Sequence, residues 1–244
     1  IEYFVDVIAP YLDSKKVTYT AMQFKRLGYI RLNEYLNKLA ENSQGAWMFF
    51  WNDDAVMTTT GWDDVIRSHN DQFALLRAET NHEHPYAIFP ILPRKWVEIT
   101  GHLSPHQIND AWTSQIGWML DIVVTIPVMI EHQRYDLTGK NGDDVFKNRP
   151  MLEGNPRDSR DFHSVQQMDI RHTDCAKIAQ YLETERGQDM SFFANIFRGT
   201  QDPWEKLALN DVNKQMVQFK NPHSHFVEQA RKQEEEKKNA TVKS

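Results

Sequence analysis

The chain of 244 residues has one cysteine, Cys175. An internal disulfide is therefore impossible, a zinc-holding thiolate cluster is excluded, and the usage suits a reducing, cytoplasmic setting. Long apolar runs are lacking too. The longest, IVVTIPVMI at 122–130, is half the span of about 20 residues that a membrane helix needs, and Pro127 breaks it. No secretory apolar segment stands out, so the reading is of a soluble protein without a transmembrane segment. Basic charge is not in excess: 28 Lys and Arg stand against 34 Asp and Glu, a formal net charge of −6, which argues against a nucleic-acid partner. An anionic ligand would need a metal or local basic groups to offset that charge. There is no internal repeat and no initiator methionine. The chain opens at Ile1 inside a periodic apolar pattern (Ile1, Phe4, Val5, Ile8), so further sequence is expected upstream.

What is present is a core. Hydrophobic residues make up 40% and aromatics 11% of the chain, enough to exclude global disorder. Residues 1–12 read as a helix ending near Pro10, and KVTYTAMQ (16–23) alternates like a strand. Leu32, Tyr35, Leu36, Leu39 and Ala40 form one face of an amphipathic helix that Gly45 closes. AWMFFW (46–51) has the continuous apolar character of a strand buried on both faces of a parallel sheet. Gly61 introduces a helix with Asp63 and Asp64 in its first turn, where acids suit the macrodipole. YAIFPIL (86–92) and DIVVTIPVMIEH (121–132) read as strands.

Between those two strands lies SPHQINDAWTSQIGWML (104–120), a helix with Ser104 as N-cap, Pro105 at its first position and Gln107 completing a capping box. Ile108, Trp112, Ile116 and Met119 form its buried stripe, which places Asp110, Ser114 and Gly117 on the face turned from the core. Alternating helices and strands over 1–132 indicate an α/β fold with a mostly parallel sheet flanked by helices. The domain reading is a core over 1–150, a loop and helical C-terminal extension over 151–225, with helices near 171–186 and 204–219, and a charged tail over 226–244.

Open α/β sheets bind ligands beyond the carboxyl ends of their strands. Asn52-Asp53-Asp54 follows one strand, His132 ends another, and Asp110 lies on the helix before the second. Adjacent acids repel each other. A surface turn would accommodate them through side-chain bonds to the local backbone, and a divalent cation would neutralise them. Two carboxylate positions and an imidazole suit Mn²⁺ or Mg²⁺. His69, His82, His84 and His102 scatter through expected surface loops, Asp143 and Asp144 sit in a Gly-rich loop, and Trp62, Trp96, Trp112 and Trp118 are expected mostly in the core.

QGAWMFFWNDDAVMTTTGWDDVI, the preceding LGYIRLNEYLNKLAENSQG, the later INDAWTSQIGWMLDI and VMIEHQRYDLTGKNGDDVF together resemble GT-A-fold, family 2-like glycosyltransferases over roughly 16–146. The resemblance implies a GT-A-like core, a Mn²⁺ or Mg²⁺ ion and a nucleotide-sugar donor. Asp54 would be a metal ligand, Asp53 would contact the ribose or the metal, and His132 would complete the protein's share of the shell. Asp110 would be the general base, and Arg26, Arg31 and Asn33 lesser donor contacts. Where the family has a third acid this chain has Ala55, and the family's first strand, which helps form the base pocket, falls before Ile1. The expectation is an inverting, metal-dependent transfer of a sugar to a hydroxyl on an unspecified glycan, lipid or protein. The alternatives are a non-catalytic structural or assembly protein on the same scaffold, and a Mg²⁺-dependent phosphohydrolase.

Overall fold

A computed structural model describes residues 2–25, 28, 31–81, 86–133, 162 and 164–190. Five strands form one sheet: β1 (Trp47–Phe49), β2 (Ala55–Met57), β3 (Leu75–Thr80), β4 (Pro90–Pro93) and β5 (Val123–His132), in the order β1-β4-β3-β5-β2. Only β3 and β5 run in parallel; the other three pairings are antiparallel. The chain is α/β, but the expected mostly parallel sheet is corrected to a mixed one. Connection length accounts for this. Segment 81–89 is shorter than the dozen or so residues a parallel crossover takes, so β4 returns antiparallel to β3. The longer route from β3 to β5 carries two helices, α4 (Lys95–Thr100) and α5 (Asn109–Met119), and delivers β5 parallel.

The run 46–51 is likewise not a doubly buried strand. β1 has three residues and lies at an edge of the sheet; Met48 is buried, Phe49 and Phe50 are half-buried, and Trp51 is exposed. Residues 17–25 form no strand, because none among the described residues offers them a hydrogen-bonding ladder. At the start of the chain a π-helical turn (Phe4–Ile8) leads into α1 (Ala9–Ser14). Pro10 occupies the first turn of α1 instead of ending a helix, since the N–H it lacks would have no partner there.

The remaining helices among the described residues are α2 (Leu32–Asn42), α3 (Trp62–Arg67) and α6 (Val165–Arg186). Ser164 caps α6 by accepting a hydrogen bond from Gln167 N at 3.3 Å, and Gly187 ends it in the left-handed region. Two apolar clusters cover the two faces of the sheet. On one face Met48, Leu75 and Leu92 meet α5 (Trp112, Ile116, Met119) and α6 (Cys175, Ile178, Leu182). On the other, Leu76, Ile91, Ile126 and Ile130 meet Ile66 of α3. The helix at 165–186 thus shares the core of the preceding residues. The expected helix at 204–219 and the tail at 226–244 lie outside the described residues.

Candidate functional site

Strands β1, β3 and β5 point the same way, and β2 and β4 oppose them. Three carboxyl termini and two amino termini therefore share one end of the sheet. The turn Asn52-Asp53-Asp54 crosses that end from β1 to β2, at the opposite edge, and closes with Ala55 N donating to Asn52 O at 3.3 Å. Asn81 follows β3, Phe89 precedes β4, and His132 is the last residue of β5.

Here Asp54 and His132 meet. His132 Nε2 lies 3.1 Å from Asp54 Oδ1, although the residues are 78 apart in sequence. The main chain sets the contact. Ala55 is the register partner of His132, and Gln133 N donates to Asp54 O at 2.7 Å. Asn81 fixes the other side: its Oδ1 accepts from His132 N at 2.9 Å and its Nδ2 donates to His132 O at 3.4 Å. The imidazole is 5% exposed and the carboxylate 42%, so the pair opens outward through Asp54. Asn81 was not among the expected site residues; its one sequence signal is an amide placed directly after a strand.

The 3.1 Å separation is that of a hydrogen bond, and the carboxylate and imidazole it joins are side chains that could together hold a divalent cation. Mg²⁺ and Mn²⁺ commonly take one or two protein side chains and fill the shell with water and phosphate oxygen. Asp53 is exposed on the turn beside the pair, and among the described residues no three His, Cys, Asp or Glu side chains converge as a metal cluster.

Aromatic rings back the same end of the sheet. Phe89 packs edge-on to the His132 ring at 4.9 Å between centroids. Trp51 lies along Phe89 at 5.8 Å and 32°, and stands at 89° to Phe49 at 5.2 Å. Trp51 still keeps 43% of its surface exposed.

Asp110 stands apart from the pair. It lies in the first turn of α5, over the opposite face of the sheet, where its Oδ1 accepts from Ala111 N at 2.8 Å. The face it shares with Ser114 and Gly117 is corrected. That face turns to the sheet, because Ser114 Oγ accepts from Ala87 N at 2.9 Å and Gly117 abuts Leu75 and Val123. Since Gly117 sits at the start of β3 and β5, the amino end of α5 points toward their carboxyl ends. Asp110 is half-buried, and the neighbouring Tyr86 phenol is pushed up by burial, with the charge of Asp110 adding to the shift.

The expected cap of this helix is corrected as well. Ser104 bonds His106, donating to its O at 2.7 Å and accepting from its N at 3.1 Å, so the helix begins only at Asn109. Asn33 and Asn37 of α2 hold this loop. Asn33 Nδ2 donates to Pro105 O at 2.9 Å, and Asn37 Oδ1 accepts from Leu103 N at 2.8 Å. Asn33 thus has a structural occupation, and Arg31 pairs with Glu34 on the surface of α2. Arg26, His82, His84, Asp143 and Asp144 lie outside the described residues.

Sequence reasoning left His102 at the surface and missed its partner. His102 Nε2 lies 2.8 Å from Oδ2 of Asp174, a buried carboxylate of α6. His69 contacts Gln72 at 3.2 Å on the surface, as a loop residue does. Trp96, Trp112 and Trp118 are buried as expected, whereas Trp62 is 36% exposed. Among the described residues no helix is long and apolar enough to cross a membrane. Comparison with protein-family models, with curated proteins and with solved structures gave no match.

Proposed function

We propose that the chain is a metal-dependent glycosyltransferase, moving a sugar from a nucleotide-diphosphate donor to a hydroxyl acceptor on a GT-A-like core. The observation that carries this reading is the 3.1 Å approach of Asp54 and His132 at the shared carboxyl end of β1, β3 and β5. They are two of the three residues that the family resemblance assigns to the metal. A bound Mn²⁺ or Mg²⁺ would neutralise the diphosphate and stabilise it as a leaving group.

The chain's own residues divide the remaining work. Asp54 and His132 hold the ion, and Asn81 holds the main chain of His132 so that its imidazole keeps its place. Asp53, exposed beside them, meets the ribose or the ion. Asp110 takes the proton from the acceptor hydroxyl as that oxygen attacks the anomeric carbon. Attack opposite the departing diphosphate inverts the anomeric centre.

The test is a thermal-shift screen of UDP- and GDP-sugars with and without Mn²⁺. A donor at 100 times its dissociation constant raises stability by about 2.7 kcal/mol. Asp54→Ala is expected to lose the Mn²⁺-dependent shift. Asp110→Asn should keep the shift and slow transfer by about 10²–10⁴-fold. Donor binding undiminished in Asp54→Ala would overturn the metal assignment, and release of inorganic phosphate from the nucleotide would favour the phosphohydrolase instead.

A further inference from the structure

The exposed indole of Trp51 is unusual in its placing. It directly precedes the Asn52-Asp53-Asp54 turn, and two neighbouring rings fix its orientation. Phe89 runs along it at 32° and Phe49 meets it at 89°. A large apolar side chain packed against two rings yet 43% exposed loses little conformational entropy when a flat ligand covers it. The same rings lead to the metal pair, because Phe89 in turn packs against His132 at 4.9 Å. Two ring spacings thus separate the open indole from the imidazole, and in a nucleotide a ribose separates the flat base from its diphosphate.

We propose that Trp51 is the stacking platform for the nucleobase of a nucleoside diphosphate whose phosphates lie at the Asp54–His132 pair. This rests on the metal site proposed above, and names the part of the donor that the indole takes. Stacking accepts any base, since each offers a π face; it gives affinity without choosing between uracil and guanine.

The experiment measures equilibrium binding of UDP, GDP and pyrophosphate, each with MnCl2, to the full 244-residue chain and to Trp51→Ala, Trp51→Phe and Asp54→Ala. Pyrophosphate is the probe without a base. Trp51→Ala should weaken UDP and GDP by about 5- to 150-fold, the about 1–3 kcal/mol of one stacked base, and leave pyrophosphate unchanged. Trp51→Phe should recover most of the loss, and Asp54→Ala should lose all three ligands. Equal weakening of all three by Trp51→Ala would mean that the indole only supports the turn, and would overturn the inference. So would unchanged nucleotide binding in that variant while Asp54→Ala loses it, an outcome that leaves the metal site standing. Failure of the wild-type chain to bind any of the three with Mn²⁺ would overturn both readings.

Discussion

Arg171 has no solvent contact, yet it carries a charge that water would otherwise stabilise. Its surroundings supply the replacement. The guanidinium lies 4.7 Å from the Trp112 ring centroid and 4.2 Å from that of Phe162, and Nη2 donates to Phe162 O at 2.8 Å. Burial still lowers its pKa to about 10, while the charges of Cys175, Tyr86 and Asp174 act in the other direction. Arg171 therefore clamps Phe162 onto α5, the helix that carries Asp110. Truncating a large, fully buried side chain to alanine costs about 2–5 kcal/mol, so Arg171→Ala should lower the urea midpoint by that equivalent. Arg171→Met refills the space over Trp112 and should cost less. A loss below about 1 kcal/mol for the alanine variant, within the range of ordinary surface substitutions, would show that the clamp contributes little.

Among the elements, α5 carries both Asp110 and a large share of the core. Residues 111–119 are all buried, which requires close approach on every side. Gly117 permits it against the sheet. A Cβ there would stand 2.9 Å from Val123 Cγ2 and 3.2 Å from Leu75 Cδ1. Alanine in place of a helical glycine gains about 1 kcal/mol in propensity. Overpacking costs about 1–3 kcal/mol. Gly117→Ala is thus expected to lose up to about 2 kcal/mol, measured by denaturant unfolding, and Gly117→Val more. A stabilised alanine variant would show that the sheet yields easily. The same helix shows what the sequence could and could not reveal. Its stripe of Trp112, Ile116 and Met119 was legible because apolar spacing follows the helical period. Its opposite face was misread as solvent-facing because small and polar residues pack on a sheet as readily as they face water. Strand direction was illegible for a related reason: an apolar run such as 46–51 has the same pattern whether its neighbours run with it or against it. Asp54 and His132 lie 78 positions apart, which leaves no local signal of their pairing; only their expected places at strand ends and the family resemblance linked them.

At the scale of the whole molecule, α6 binds the C-terminal part of the described chain to the sheet through a core that contains one thiol. Cys175 lies wholly buried beside Met119, its Sγ 4.0 Å from the thioether sulfur. Burial pushes its pKa well above the usual value of 9.0, and the charge of Asp174 adds to this. The unfolded chain exposes the thiol and ionises near its ordinary value. Well below pH 9 both states are protonated, and this group contributes no pH dependence. As pH rises further the unfolded state releases the proton first, so stability falls by up to about 1.4 kcal/mol per pH unit. Tyr86, also raised, joins in the same direction above its ordinary value of 10.0. Arg171, lowered to about 10, acts oppositely from there upward because its folded form deprotonates first. Between pH 9 and 10 the onsets of these two groups oppose each other, which leaves the cysteine as the main contributor among the three. Urea unfolding at pH 8, 9 and 10 should show wild-type stability dropping by about 1 kcal/mol over the last interval. Cys175→Ala, less stable at pH 8 through the lost sulfur, should lose the cysteine's share of that drop. Parallel declines in the two proteins would place the alkaline sensitivity elsewhere, and would mean that the α5–α6 core opens to solvent before the thiol ionises.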